Sequence, residues 1–192
     1  MFLDTGIRII DASWFILPAY FANSLPVNVS KIKELEWMGK PIDGNRKLLG
    51  HRILGDGKTW RGLFFGVAGG TIAGFIQQNT HLKAMLFLRS ILHEPQLTLP
   101  HMSVELAFIL SLGALLGDMV ASFIKRQSSL KRGHPAPLLD QLDFVLGAVL
   151  ASWFLLGEID YPRFYVLIFI TPAIHVLGNI MAWALKMKKK PW

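Results

Sequence analysis

Five apolar stretches, separated by polar and cationic runs, divide the chain. The first covers about residues 6–29 and is interrupted by Asp11, Pro18, Asn23 and Pro26. Its two prolines predict kinks or an unwound end, because proline removes a backbone N–H and crowds the preceding turn. The second, about residues 62–80, carries Gly66, Gly70 and Gly74. Small residues four apart form a face for close helix contact, and this face makes a homodimer plausible. The third covers 104–124, the fourth about 138–157, and the fifth 164–185, where Pro172 predicts a bend. Each reaches or approaches the ~20 residues that cross a bilayer. Leu82–Leu92 is apolar too, but it is short and carries Lys83 and Arg89, so it is expected to lie at the outer interface. The expected fold class is an all-α integral membrane protein. Five transmembrane helices form one domain over residues 1–192, with a long basic cytoplasmic loop between helices 1 and 2. No internal repeat interrupts this pattern.

Composition strengthens the membrane reading. Apolar residues make up 52% of the 192 positions and mean hydropathy is +0.41. Charged residues are 17%, below the ~25% of soluble domains. The apolar N-terminal run lacks a basic leader, since Asp4 offsets Arg8, so an uncleaved first span is expected. There is no Cys, which excludes disulfides, thiolate metal sites and cysteine nucleophiles.

A net charge of +7 would raise the question of nucleic acid in a soluble protein, but position decides otherwise. Sixteen of the twenty cations fall in the link 30–61, the link between spans three and four, and the tail. With the N-terminus outside and the C-terminus inside, all three segments face the cytoplasm, as the positive-inside rule requires. The expectation is a multi-pass cell-membrane protein that binds no nucleic acid, with its chemistry at the cytoplasmic border. The scattered tryptophans fit interface belts rather than base stacking.

The costly residues lie at that border. Asp118, Ser122 and Lys125 are spaced to share one face of span three, and Arg126 lies close by. Lys131 and Arg132 follow, and then Asp140 and Asp143 open span four on a common face. Gly147 continues that face without a side chain, which predicts room for a ligand. Carboxylates in apolar helices are expensive and default to a functional reading, although Asp118 could simply pair with Lys125 or Arg126, and Asp140 could be a helix cap. Three converging carboxylates without His or Cys favour a hard ion, Mg²⁺ or Mn²⁺, and such ions usually hold phosphates. We therefore expect Asp118, Asp140 and Asp143 to bind metal, with Lys125 beside them as a catalytic cation. The six histidines have no metal-ligand spacing, and His175, inside span five, is expected to be a hydrogen-bonded core residue.

A second constellation lies in the first basic link. It comprises Pro41-Ile42-Asp43-Gly44-Asn45-Arg46-Lys47 and then Gly55-Asp56-Gly57-Lys58-Thr59-Trp60-Arg61. Glycines flanking Asp56 allow tight turns and close backbone approach to a phosphate. The run is not a P-loop, because Arg52 stands where that motif needs Gly. Asp43, Gly44, Asp56, Gly57, Lys58 and Thr59 are the expected nucleotide-binding residues here. A solvated, positive-inside loop is the simpler account.

The motif Ser122-x-x-Lys125-Arg126, a basic spacer with Lys131, Gly133 and His134, and closing Asp140 and Asp143 resembles the CDP-archaeol synthases of archaea. These are relatives of the CDP-diacylglycerol synthases. Arg132, Pro135 and Gln141 depart from the wider family's pattern and suit the archaeal branch. The block Arg52-Ile53-Leu54-Gly55-Asp56-Gly57-Lys58-Thr59-Trp60 is similar to that branch as well. The resemblance implies an enzyme that transfers cytidylyl from CTP to an ether-lipid phosphate. The implied products are a CDP-archaeol and pyrophosphate. In that reading Ser122, Arg126, Lys131 and Arg132 join the nucleotide site. A CTP-dependent polyprenol kinase and a small ion transporter are the alternatives.

Overall fold

The computed structural model describes residues 2–128, 136 and 138–184. Lys131, Arg132, Gly133, His134, Pro135 and the tail lysines lie outside the described residues. Among the described residues the bundle has five α-helices: α1 (Phe2–Val29), α2 (Trp60–Leu92), α3 (Val104–Gln127), α4 (Leu139–Leu156) and α5 (Tyr161–Ala184). Among the described residues, three helices are long and apolar enough to cross a membrane: α3, α4 and α5 as far as Gly178. Large apolar side chains cover the outside, with Phe154 and Phe169 about four-fifths exposed. The inside is small and tight, with Ala12, Ile16, Leu110, Ala114, Phe144 and Leu167 fully buried.

The helix α1 runs unbroken through Pro18 and Pro26, so of the two expectations, kinks or an unwound end, the unwound end is not met. Pro18 has no N–H for the carbonyl of Trp14, four residues back. That carbonyl accepts instead from Gln77 Nε2 on α2, at 2.8 Å. At Pro26 the counterpart is the Ala22 carbonyl, which faces Gly66. A Cβ on Gly66 would stand 2.8 Å from that oxygen, so only glycine lets the helices meet there. At Pro18 a neighbouring helix thus takes up what the proline releases.

The glycine face of α2 is consumed by the same packing. Gly66 abuts Leu115, Gly70 abuts Ser111, and Gly74 abuts Ala107, all on α3. The stripe that argued for a dimer is buried within one chain. Also revised is the end of α2, which continues to Leu92 instead of breaking near residue 80. Polar residues cross the break by bonding backward: Asn79 Nδ2 donates to the Phe75 carbonyl and Thr80 Oγ1 to that of Ile76, both at 2.7 Å. Thr59 and Ser103 cap α2 and α3, each accepting from an amide three residues on, at 3.1 Å.

Between α1 and α2 the chain is ordered but not wholly helical. A short 3₁₀ helix, Lys33–Met38, is followed by a two-stranded antiparallel hairpin, β1 (Lys47–Leu48) and β2 (His51–Arg52). The ends of this excursion are tied together, with the Ile42 amide donating to the Lys58 carbonyl at 2.8 Å.

Candidate active site

A glycine-lined helix crossing places the carboxylates. Gly113 and Gly117 on α3 meet Gly147 on α4 backbone to backbone. A Cβ on Gly147 would lie 2.7 Å from the Gly117 Cα. The space at Gly147 therefore holds α3 rather than a ligand, which corrects the sequence expectation. The contact brings Asp118, one residue beyond Gly117, to the buried Asp143, one turn before Gly147. The Asp143 carboxylate is within electrostatic reach of Asp118, Lys125 and Lys58.

Asp140 does not complete a three-carboxylate centre. Its carboxylate accepts from Lys125 Nζ and, at 2.9 Å, from the Ala136 amide. Among the described residues no group of three His, Cys, Asp or Glu side chains is placed to hold a metal ion. The reason is local. Asp140 lies in the first turn of α4, where the preceding Leu138 has a left-handed φ of 67°. Its side chain is drawn back to the incoming chain, while Asp143 turns inward. The ion pairing of Asp118 is also unlike either simple expectation: it bonds Lys58, sixty positions earlier in the chain, and not Lys125 or Arg126.

The loop that carries Lys58 is organised by Asp43. This buried carboxylate accepts five hydrogen bonds. Oδ1 receives the Asn45 amide and one guanidinium nitrogen of Arg52, and Oδ2 receives Arg52 Nε and the amides of Leu54 and Gly55, at 2.9–3.3 Å. Burial works to raise its pKa. The Arg52 bond and the amides of Gly55, Leu54 and Asn45 outweigh it and hold the carboxyl well below the ordinary Asp value. Its acceptor capacity is fully used, so Asp43 shapes the loop, and it lines neither of the cavities described below. Arg52 also bonds Asp56 at 2.8 Å, and Gln127 on α3 donates to the Arg52 carbonyl at 3.3 Å.

Two cavities flank the ridge Asp56-Gly57-Lys58, and these three residues line both. The larger, about 570 Å³, runs past Thr59, Arg61 and Asp118 and has an apolar side of Val27, Leu63, Leu115 and Met119. The smaller, about 270 Å³, is cationic: Arg52, Lys58, Lys125 and Arg126 surround it, with Ser122. Arg126 Nε lies buried with no hydrogen-bond partner among the described residues.

Most sequence-derived residues therefore converge. Asp56, Gly57, Lys58, Thr59, Ser122, Lys125, Arg126 and Asp118 line the two cavities, and Asp143 lines neither but is within electrostatic reach of Asp118, Lys125 and Lys58. Gly44, at a left-handed φ of 55°, lines neither and serves the turn. Thr59 lines the larger cavity, but its hydroxyl also caps α2. Two residues escaped sequence reasoning as site builders. Arg52 is the hub of the loop, for which the only local signal is its four-residue spacing to Asp56. Arg61 is buried and donates to the carbonyls of Ser30 and Ile32 just past α1, at 3.3 and 3.5 Å. Arg61 closes the second constellation in the sequence, but nothing in its spacing points to these carbonyls.

Comparison with known proteins places the chain in a family. The family model described as CarS-like, CDP-archaeol synthase, matches residues 7–192. The CDP-archaeol synthase of Pyrococcus abyssi is 43% identical over 185 residues, covering 96% of this chain and 98% of that protein. Its counterpart in Methanocaldococcus jannaschii is 41% identical over 191 residues, with 96% and 98% covered. A solved structure of an intramembrane enzyme for archaeal membrane lipid biosynthesis superposes with a TM-score of 0.67 at 36% identity. That match covers 90% of this chain and 94% of that one. With a whole-length family match, relatives above 40% identity and a common fold, the chain belongs to the CDP-archaeol synthase family.

Proposed function

We propose that this enzyme transfers cytidylyl from CTP to the phosphate of 2,3-bis-O-geranylgeranyl-sn-glycerol 1-phosphate, giving the CDP-lipid and pyrophosphate. All five helices span the membrane in this reading, with the N-terminus outside and the site at the cytoplasmic end. The observation that carries it is the pairing of a cationic cavity with a half-apolar one across a shared ridge. The first suits a triphosphate, through Arg52, Lys58, Lys125 and the unpartnered Arg126 Nε. The second suits a phosphate attached to a hydrocarbon tail.

The reaction asks for positioning and charge neutralisation. An oxygen of the lipid phosphate, already anionic at neutral pH, attacks the α-phosphorus of CTP. As that P–O bond forms, the bond to the β-phosphate bridging oxygen breaks, and the electron pair leaves with pyrophosphate. No proton need be removed from the attacking oxygen, so a general base is unnecessary. Lys58 stands between the cavities, where the two anionic groups must be brought together against their repulsion. Lys125 and Arg126 draw charge toward the departing pyrophosphate. Asp43 and Arg52 keep the ridge in register.

A divalent ion fits the residues present. Asp118 and Asp143 are oxygen donors from facing helices, and Mg²⁺ is commonly held by one or two carboxylates together with substrate phosphates. These two residues would hold Mg²⁺ or Mn²⁺, whose chemistry is to neutralise phosphate oxygens and fix their geometry. Asp140 acts by holding Lys125.

The test uses purified protein in vesicles with CTP labelled at the α-phosphate, Mg²⁺ and the ether-lipid phosphate. Label in the lipid, with one pyrophosphate released per lipid labelled, is expected. Release of CDP with γ-phosphate transfer would replace this reading with a kinase.

A further inference from the structure

The hairpin apex violates two local preferences at one residue. In the two-residue connection Leu49-Gly50, both residues have positive φ, 50° and 83°. Such turns favour Asn or Asp followed by Gly, because other side chains are strained in the left-handed region. Here the first position is Leu, and it is 86% exposed. Asparagine would relieve the backbone and suit water better. An outlier that costs on both counts points to a contact outside the folded chain.

The surroundings identify the contact. Leu116, Val120 and Ile124 form an exposed apolar row along α3 at four-residue spacing. Gln127 lies three residues beyond Ile124, on the same side of the helix, and its side chain holds the carbonyl of Arg52 at the hairpin's root. The hairpin thus hangs beside the lower end of a lipid-facing row. Leu48, next to the apex, is also exposed, and so are Arg46, Lys47 and His51. An apolar tip flanked by the cations Arg46 and Lys47 fits the boundary where hydrocarbon meets phosphate headgroups.

We infer that the apex Leu48-Leu49 dips into the cytoplasmic leaflet and anchors the loop 40–59 to the membrane surface. The bilayer then fixes the height of the Asp43–Arg52–Asp56 network from one end, while Gln127 fixes it from the other. This contact is separate from catalysis, and its expected signal is present without substrate.

The absence of cysteine makes that test clean. Leu49→Cys is labelled with nitrobenzoxadiazole and reconstituted into vesicles of phosphatidylglycerol and phosphatidylcholine in equal parts. Blue-shifted emission, protection from iodide and quenching by headgroup-proximal nitroxide lipid are expected. Water-like emission quenched by iodide alone would overturn the inference. A blue shift lost on diluting the protein in lipid would replace it with contact between two copies. A shift that appears only with CTP and Mg²⁺ would replace it with closure over the nucleotide. Lys47→Cys, labelled likewise, reports the same boundary without altering the apex, and it should show partial protection. If it too is water-like, the anchor is refuted.

Discussion

Replacing Asp43 by Asn isolates the loop's organising charge with little change in shape. Only one of the two side-chain oxygens survives. If the amide nitrogen takes the place of Oδ1, the Asn45 amide and one Arg52 nitrogen lose their acceptor. If it takes the place of Oδ2, Arg52 Nε and the amides of Leu54 and Gly55 lose theirs. Hydrogen bonds to a charged group contribute about 1.5–3 kcal/mol each, so losing two or more costs at least about 3 kcal/mol. At about 1.4 kcal/mol per tenfold, local opening becomes roughly a hundred times more frequent. The helices do not share these bonds, so the loss stays local. Hydrogen exchange read by mass spectrometry should show protection of residues 44–56 falling by about two orders of magnitude, with α3 and α4 unchanged. The KM for CTP should rise accordingly. Unaltered protection in Asp43→Asn would refute the claim that this carboxylate holds the loop. In the unmutated protein, the depressed Asp43 pKa makes its contribution complete above the unfolded value of about 3.9, and the contribution is lost as pH falls through the folded value. Loop protection, corrected for intrinsic exchange, should therefore be flat from pH 7 to about pH 5.

Asp118→Asn and Asp143→Asn should each lower turnover by about a hundredfold or more, as expected when metal-assisted charge neutralisation is lost, while the protein still inserts. Asp140→Asn should cost less, because its carboxylate serves Lys125; a radiolabel turnover assay ranks the three. Gly147→Ala forces a methyl group against the α3 backbone and should destabilise the α3–α4 crossing by about 1–3 kcal/mol. A lower thermal midpoint in detergent would show this. Gln77→Leu strands the Trp14 carbonyl in an apolar interior at a cost of about 1 kcal/mol. The same melt should show a smaller drop for it than for Gly147→Ala.

The best-read elements were α3 and α4. Their apolar runs hold few charges and no proline, with Ser103 before one and Gly157 after the other, so pattern and caps agree on the boundaries. The second helix misled because Gln77, Gln78, Asn79 and His81 look like an exit from the bilayer. The side-chain bonds of Gln77 to Trp14 and of His81 to Leu99 are visible only in three dimensions. The site was legible in its residue types and less so in its pairings. Spacing along one helix relates Asp118 to Lys125, but the partner of Asp118 arrives from a loop sixty positions away. Gly147 shows the same limit: a missing side chain on the functional face could admit a ligand or a neighbouring backbone, and only packing decides. The hairpin was invisible because two-residue strands carry no periodicity.

Asp56-Gly57-Lys58 is a partition with both chambers as neighbours. Whatever settles on one face alters the wall seen from the other. Each substrate's affinity then depends on whether its co-substrate is already seated, and linkage requires the same factor in both directions. Steady-state velocities should follow a ternary-complex pattern with intersecting reciprocal plots, and the parallel lines of a ping-pong scheme should not appear.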